Sequence, residues 1–110
     1  MIERNITTLS RRKFDRYQVD LPGVATFENK STPVRVLDLS LGGARVEMPL
    51  HASAYDMTAL SVLRVAHVLH LRVRWRWSRD RQVGLQFLAP QLARDAIRHQ
   101  LGISDFRSGG

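Results

Sequence analysis

Alternation of charged and apolar residues over residues 70–77 constrains the fold more than any other feature of this chain. The charged face comprises Arg72, Arg74 and Arg76, and the apolar face comprises Val73, Trp75 and Trp77. Successive side chains of a β-strand point to opposite faces, whereas a helix would distribute the same residues around its axis. The segment is therefore predicted to be a strand with one face packed on a core and the other in solvent.

Five further segments resemble short strands separated by turn-forming residues. They span residues 17–28, 34–39, 44–48, 60–65 and 83–87, and Pro22-Gly23 interrupts the first. Residues 50–59 are predicted to form a loop. The apolar run at 60–71 fits either a buried strand or a helix, and we favour a strand over 60–65. Pro90 suits the first turn of a helix that ends at Gly102. The apolar stripe of this helix comprises Leu92, Ala93, Ala96, Ile97 and Leu101.

Six short strands and one terminal helix predict a mainly all-β protein. The expected architecture is a small six-stranded antiparallel β-barrel of the Greek-key or split type with one C-terminal α-helix, because closure hides strand edges. A chain of 110 residues has room for one domain and one modest core. We expect a flexible arm over residues 1–10, the domain over 11–101 and a flexible tail over 102–110.

The charge of the chain favours an anionic partner. Its formal net charge is +7, and fifteen arginines stand against two lysines. A guanidinium binds phosphate through a bidentate fork, pairs with the O6/N7 edge of guanine and stacks on bases. A ligand that carries both phosphate and guanine would use all three properties.

Other classes of protein are disfavoured by the sequence. The chain has no cysteine, which excludes disulfides and thiolate metal sites. His67 and His70 are expected on opposite faces of a strand without a carboxylate cluster, so no metal site is predicted. The N-terminus lacks the apolar region of a signal peptide, and residues 58–71 are too polar and too short to cross a bilayer. We therefore expect a cytoplasmic protein without membrane insertion.

Two short motifs carry the functional argument. Arg12 and Arg16 form an R-x-x-x-R, a pattern expected about twice by chance in a chain this rich in arginine. Asp38-Leu39-Ser40-Leu41-Gly42-Gly43 forms a D-x-S-x-x-G, for which only about 0.04 chance matches are expected. The two other R-x-x-x-R pairs are Arg72/Arg76 and Arg94/Arg98, within a predicted strand and the predicted helix. The order and spacing of the two motifs strengthen the case for a joint role.

Together the motifs resemble the two signatures of the PilZ domain, the bacterial receptor module for the second messenger cyclic-di-GMP. The resemblance covers roughly residues 11–101 and implies a barrel with a packed helix. It also implies nucleotide binding by the residues of the two motifs and by the arginine before the first: Arg11, Arg12, Arg16, Asp38, Ser40, Gly42 and Gly43. Asp38 would either face the guanine N1/N2 donors or hold an arginine of the first motif.

The resemblance implies a stand-alone receptor that binds cyclic-di-GMP and relays its level to an unidentified protein effector. The relay would be ordering of the N-terminal arginine segment around the ligand. Arg11 adds a fourth positive charge beside Arg12, Lys13 and Arg16, which favours two stacked ligand molecules per domain. No catalytic residues, metal or cofactor are expected, because Ser40 has no identifiable general base. The chain is therefore predicted not to be an enzyme.

Three alternatives remain open from the sequence alone. Residues 11–16 are also compatible with a solvated basic arm, and residues 38–43 with a strand that ends in a turn. A PilZ-like scaffold that no longer binds nucleotide is the second alternative. The third is a basic β-barrel for single-stranded nucleic acid, although alternation places the tryptophans away from the arginines of the same strand.

Overall fold

The computed structural model describes residues 16–102, and Arg11 and Arg12 lie outside this range. Six strands and one helix follow one another as the sequence predicts. They are β1 (Arg16–Thr26), β2 (Ser31–Ser40), β3 (Gly43–Glu47), β4 (Val62–Val65), β5 (Leu69–Arg79), β6 (Gln82–Phe87) and α1 (Pro90–Leu101). The interruption predicted at Pro22-Gly23 is wrong, because β1 continues through both residues.

The six strands form a closed antiparallel barrel in the order β1-β2-β3-β6-β5-β4. The barrel closes where Gly23–Thr26 of β1 pairs with β4. Gly23 is suited to this seam, since a Cβ there would lie 2.9 Å from the carbonyl oxygen of Arg64. Because the barrel is closed, each of the six strands pairs with a neighbouring strand on both sides. Closure of this kind is predicted from the sequence as the way to avoid exposed strand edges.

The core fills the barrel interior with side chains from alternate strand positions. The largest fully buried apolar side chains include Leu39, Met48, Leu63, Leu69, Phe87 and Ile97. Helix α1 contributes Ala93 and Ile97 to this core. It begins with Pro90 at its first turn and ends at Gly102, whose φ of 70° is left-handed, so both predicted helix boundaries are confirmed.

The ambiguous segment 60–71 contains no helix. Strand β4 and the start of β5 are joined by a turn in which Ala66 and His67 adopt positive φ. The favoured strand is therefore confirmed. The predicted loop at 50–59 is partly ordered into two single turns of 3₁₀ helix, Ala52–Ala54 and Met57–Ala59. Within residues 16–102, no helix is long and apolar enough to cross a membrane.

Within residues 16–102, two of the three irregularities in strand pairing change which side chains face outward from the barrel at the candidate site. One lies between Val36 and Asp38 where β2 pairs with β3, and the other lies between Trp75 and Trp77 where β5 pairs with β6. An extra residue shifts the alternation, so the residues after it point to the opposite face. Asp38 and Trp77 are thereby directed outward, although unbroken alternation would direct both into the core.

Candidate functional site

An open cavity of about 270 Å³ lies on the outer face of the barrel. It spans the start of β1, the turn between β2 and β3, and strands β3, β6 and β5. The lining residues are Arg16, Ser40, Gly42, Gly43, Ala44, Arg45, Arg76, Trp77, Gly84, Leu85 and Gln86. Within residues 16–102, three arginines and no carboxylate belong to this lining, so the cavity is suited to an anion.

Asp38 lies beneath this lining and binds two of its arginines. Its Oδ1 accepts from Nη1 of Arg16 at 3.1 Å, and its Oδ2 accepts from Nε of Arg45 at 2.8 Å. The carboxylate side chain is only 1% exposed, whereas both guanidinium groups reach solvent. A buried carboxylate requires such partners, and two guanidinium groups leave a net positive charge at the cavity. Two roles were considered for Asp38. The structure shows the second, in which the carboxylate holds an arginine of the first motif, Arg16.

Ser40 and Gly43 form the turn at the edge of the cavity. The Ser40 hydroxyl donates to the Gly43 carbonyl oxygen and accepts from the Gly43 amide, both at 3.2 Å. A Cβ on Gly43 would lie 2.0 Å from the carbonyl oxygen of Leu85, so only glycine allows β6 to approach this closely. Positive φ is not the reason, because Gly102 alone has it among the glycines of residues 16–102. The carbonyl of Gly42 accepts from the Phe87 amide at 2.8 Å.

The opposite side of the cavity is formed by exposed side chains of β5 and β6. Trp77 is 44% exposed and lies over Gly84, where a Cβ would come within 2.1 Å of the indole Nε1. Arg76 lines the same cavity. The prediction that all the tryptophans of β5 lie on the face opposite the arginines is therefore wrong for Trp77. The pairing irregularity after Trp75 breaks the alternation on which the prediction depended.

The structure brings most of the predicted site residues together. Arg16, Ser40, Gly42 and Gly43 line the cavity, and Asp38 binds Arg16 beneath it. Arg11 and Arg12 fall outside the described residues. Sequence reasoning missed the other lining residues, among them Arg45, Arg76 and Trp77. Arg45 pairs with Asp38 across the β2–β3 ladder, a register that the spacing of the motifs does not reveal.

These features define a class: a small closed β-barrel with an arginine-lined cavity on its outer surface. The chain belongs to the PilZ domain family, whose model matches residues 10–101 and confirms the resemblance in the sequence. This family consists of binding domains, and membership implies a receptor for cyclic-di-GMP. No curated protein matches the chain.

Proposed function

We propose that this protein is a receptor that binds cyclic-di-GMP in the cavity on the outer face of the barrel. The observation that carries the proposal is the Arg16–Asp38 pair at the cavity, which joins the two sequence motifs in space. A guanidinium held on a buried carboxylate is oriented before the ligand arrives, so less conformational entropy is lost on binding. Family membership supports the choice of this ligand over other anions.

The cavity offers a separate group for each part of the ligand. Arg16 provides forked N–H donors for a phosphate or for the O6/N7 edge of guanine. Trp77 presents an exposed indole on which a base can stack. Arg12 is four residues before Arg16, so at most about 14 Å of extended chain separates them and Arg12 can reach the same ligand. Asp38 acts in this proposal by holding arginines in place.

The signal would leave through the segment that precedes β1. Ligand phosphates would draw Arg11 and Arg12 towards the cavity, and the resulting arrangement would be recognised by a protein effector. The location of Arg16 supports this route, because the first residue of β1 already contacts the site. The positive charge around the first motif supports the binding of two ligand molecules per domain. Two ligands carry about four negative charges, opposite the four positive charges of Arg11, Arg12, Lys13 and Arg16.

One observation favours a second candidate, a binding site for single-stranded nucleic acid. Trp77 is exposed beside Arg76, and an aromatic side chain next to arginines is the arrangement on which unpaired bases stack. The same cavity would then bind a nucleotide that belongs to a polymer.

Isothermal titration calorimetry distinguishes the two candidates. The protein is titrated with cyclic-di-GMP, with cyclic-di-AMP and with a short single-stranded oligonucleotide. The proposal predicts saturable binding of cyclic-di-GMP, weaker binding of cyclic-di-AMP and a stoichiometry near two, lowered towards one by Arg11→Leu. Tight binding of the oligonucleotide without binding of either dinucleotide would establish the second candidate.

A further inference from the structure

Arg45 is fixed in place by two acceptors on different strands. Its Nε donates to Oδ2 of Asp38 at 2.8 Å, and its Nη1 donates to Oε1 of Gln82 at 2.9 Å. Its side chain remains 30% exposed and lines the cavity. An arginine has five N–H donors in a fixed fork, so these two bonds orient the group and leave donors for a ligand.

Among residues 16–102, the charges around Asp38 do not balance. One carboxylate lies between Arg16 and Arg45, so the three side chains together carry one unit of positive charge. Arg35 provides a contrast on the same barrel, because it forms a one-to-one pair with Asp20 at the surface. Two guanidinium groups on one buried carboxylate repel each other, which raises the energy of the unliganded site. An anion that binds between or above them offsets this repulsion.

The register of the sheet places Arg45 in line with Trp77, the side chain on which a base would stack. Arg45 pairs directly with Gly84, and Gly84 pairs directly with Trp77 on the next strand. The guanidinium, the glycine and the indole therefore form one row across β3, β6 and β5. A nucleotide stacked on Trp77 would have its phosphate within the reach of an arginine two strands away, since neighbouring strands lie about 4.8 Å apart.

We infer that Arg45 binds a phosphate of the cyclic dinucleotide, as the partner of Arg16 on the other side of Asp38. Gln82 acts as a positioning residue that sets the orientation of the Arg45 fork. This inference rests on the proposed function. It adds to the site an arginine that lies outside both motifs and belongs to the barrel itself.

The test is the affinity for cyclic-di-GMP and its dependence on salt, measured for wild type and three variants. Arg45→Gln should lower affinity about ten- to a hundredfold, the loss expected for a charge-assisted contact. It should also make the decrease of affinity with salt shallower, because one fewer cation meets the ligand. Gln82→Ala retains the cation and should lower affinity only about two- to tenfold. Arg35→Gln removes an arginine outside the cavity and should bind like wild type.

The outcomes separate this inference from the proposed function. Wild type that fails to bind cyclic-di-GMP overturns both. Wild-type affinity in Arg45→Gln overturns the inference alone, and so does a loss of affinity with an unchanged salt dependence, which would indicate a merely structural role. If Arg45→Gln does not fold, Arg45→Lys is the replacement. Lysine keeps the charge and can pair with Asp38, but it lacks the fork, so an affinity equal to that of wild type would again contradict the inference.

Discussion

The two sides of the cavity are built on different principles. The motif wall, formed by Ser40 and Gly43 with Asp38 beneath the lining, consists of buried groups. Asp38 binds two arginines, Ser40 bonds to Gly43, and Gly43 packs against backbone. The strand wall, formed by Arg76, Trp77 and Gly84, presents exposed side chains of β5, and the indole of Trp77 covers the buried Gly84 of β6. The recognisable motif thus marks the part of the site that the fold itself requires. The other wall presents exposed side chains, those of Arg76 and Trp77, that lie outside both motifs.

A glycine in each wall illustrates the difference. The missing Cβ of Gly43 leaves room for the backbone of Leu85, which cannot move without disturbing the β3–β6 ladder. The missing Cβ of Gly84 leaves room for the indole of Trp77, a side chain at the surface that can rotate away. The two positions should therefore tolerate the same substitution very differently.

The largest effect is expected for Gly43→Ala. The added Cβ would lie 2.0 Å from a carbonyl oxygen, so the ladder must separate locally. We expect the free energy of unfolding to fall by about 3 kcal/mol or more, which would lower Tm by roughly 12 °C or more. Gly84→Ala is the matched control and should cost about 1 kcal/mol or less, since the indole can move aside. Equal losses in thermal denaturation would remove the distinction between the walls.

Asp38→Ala should reduce both stability and binding. Arg16 and Arg45 would lose their common acceptor, and we expect unfolding to become easier by about 1–3 kcal/mol, as measured by urea denaturation. Affinity for cyclic-di-GMP should fall while the preference over cyclic-di-AMP persists, because Asp38 acts through the arginines. Loss of that preference would instead indicate that the carboxylate faces guanine. Asp38→Asn preserves the shape of the side chain and separates the effect of charge from that of packing.

Arg16→Ala should affect binding much more than folding. Its side chain is partly exposed, so unfolding should change by less than about 1 kcal/mol. Affinity for cyclic-di-GMP should fall about ten- to a hundredfold in calorimetry, and Arg12→Ala should behave alike. Arg98→Ala is the control, because Arg98 satisfies the same spacing on α1 but does not line the cavity. Unchanged affinity in both motif variants would show that the first motif is a solvated basic arm.

Trp77→Ala tests the strand wall with the smallest expected effect. Stacking of one base on an aromatic side chain is worth about 1–3 kcal/mol, so we expect affinity to fall about tenfold. Stability should change little, because the indole packs mainly over Gly84 at the surface. Trp77→Phe keeps an aromatic surface and should retain most of the affinity. If alanine and phenylalanine bind equally well, the strand wall contributes no stacking.

The sequence predicted the fold more completely than the site, for physical reasons that particular residues show. Alternation and turn residues depend on local spacing, so six strands and the helix from Pro90 to Gly102 could be predicted. Trp77 could not be assigned correctly, because one irregular pairing with β6 reverses its face. Arg45 was missed because its role depends on cross-strand pairing with Asp38. Such pairing is set by long-range packing, which local patterns do not encode.

The two tryptophans of the chain allow a direct test of whether cyclic-di-GMP binds in the cavity on the outer face of the barrel. In a ¹H–¹⁵N NMR spectrum, each indole N–H gives one resonance. The spectrum of Trp77→Phe lacks the Trp77 resonance, so it assigns both. The Trp77 indole lines the cavity, whereas the Trp75 indole donates to the Ser78 hydroxyl at 2.8 Å. If the ligand binds there, we expect cyclic-di-GMP to shift the Trp77 resonance much more than the Trp75 resonance, in a saturable manner. Saturable binding that leaves the Trp77 resonance unmoved would contradict this expectation.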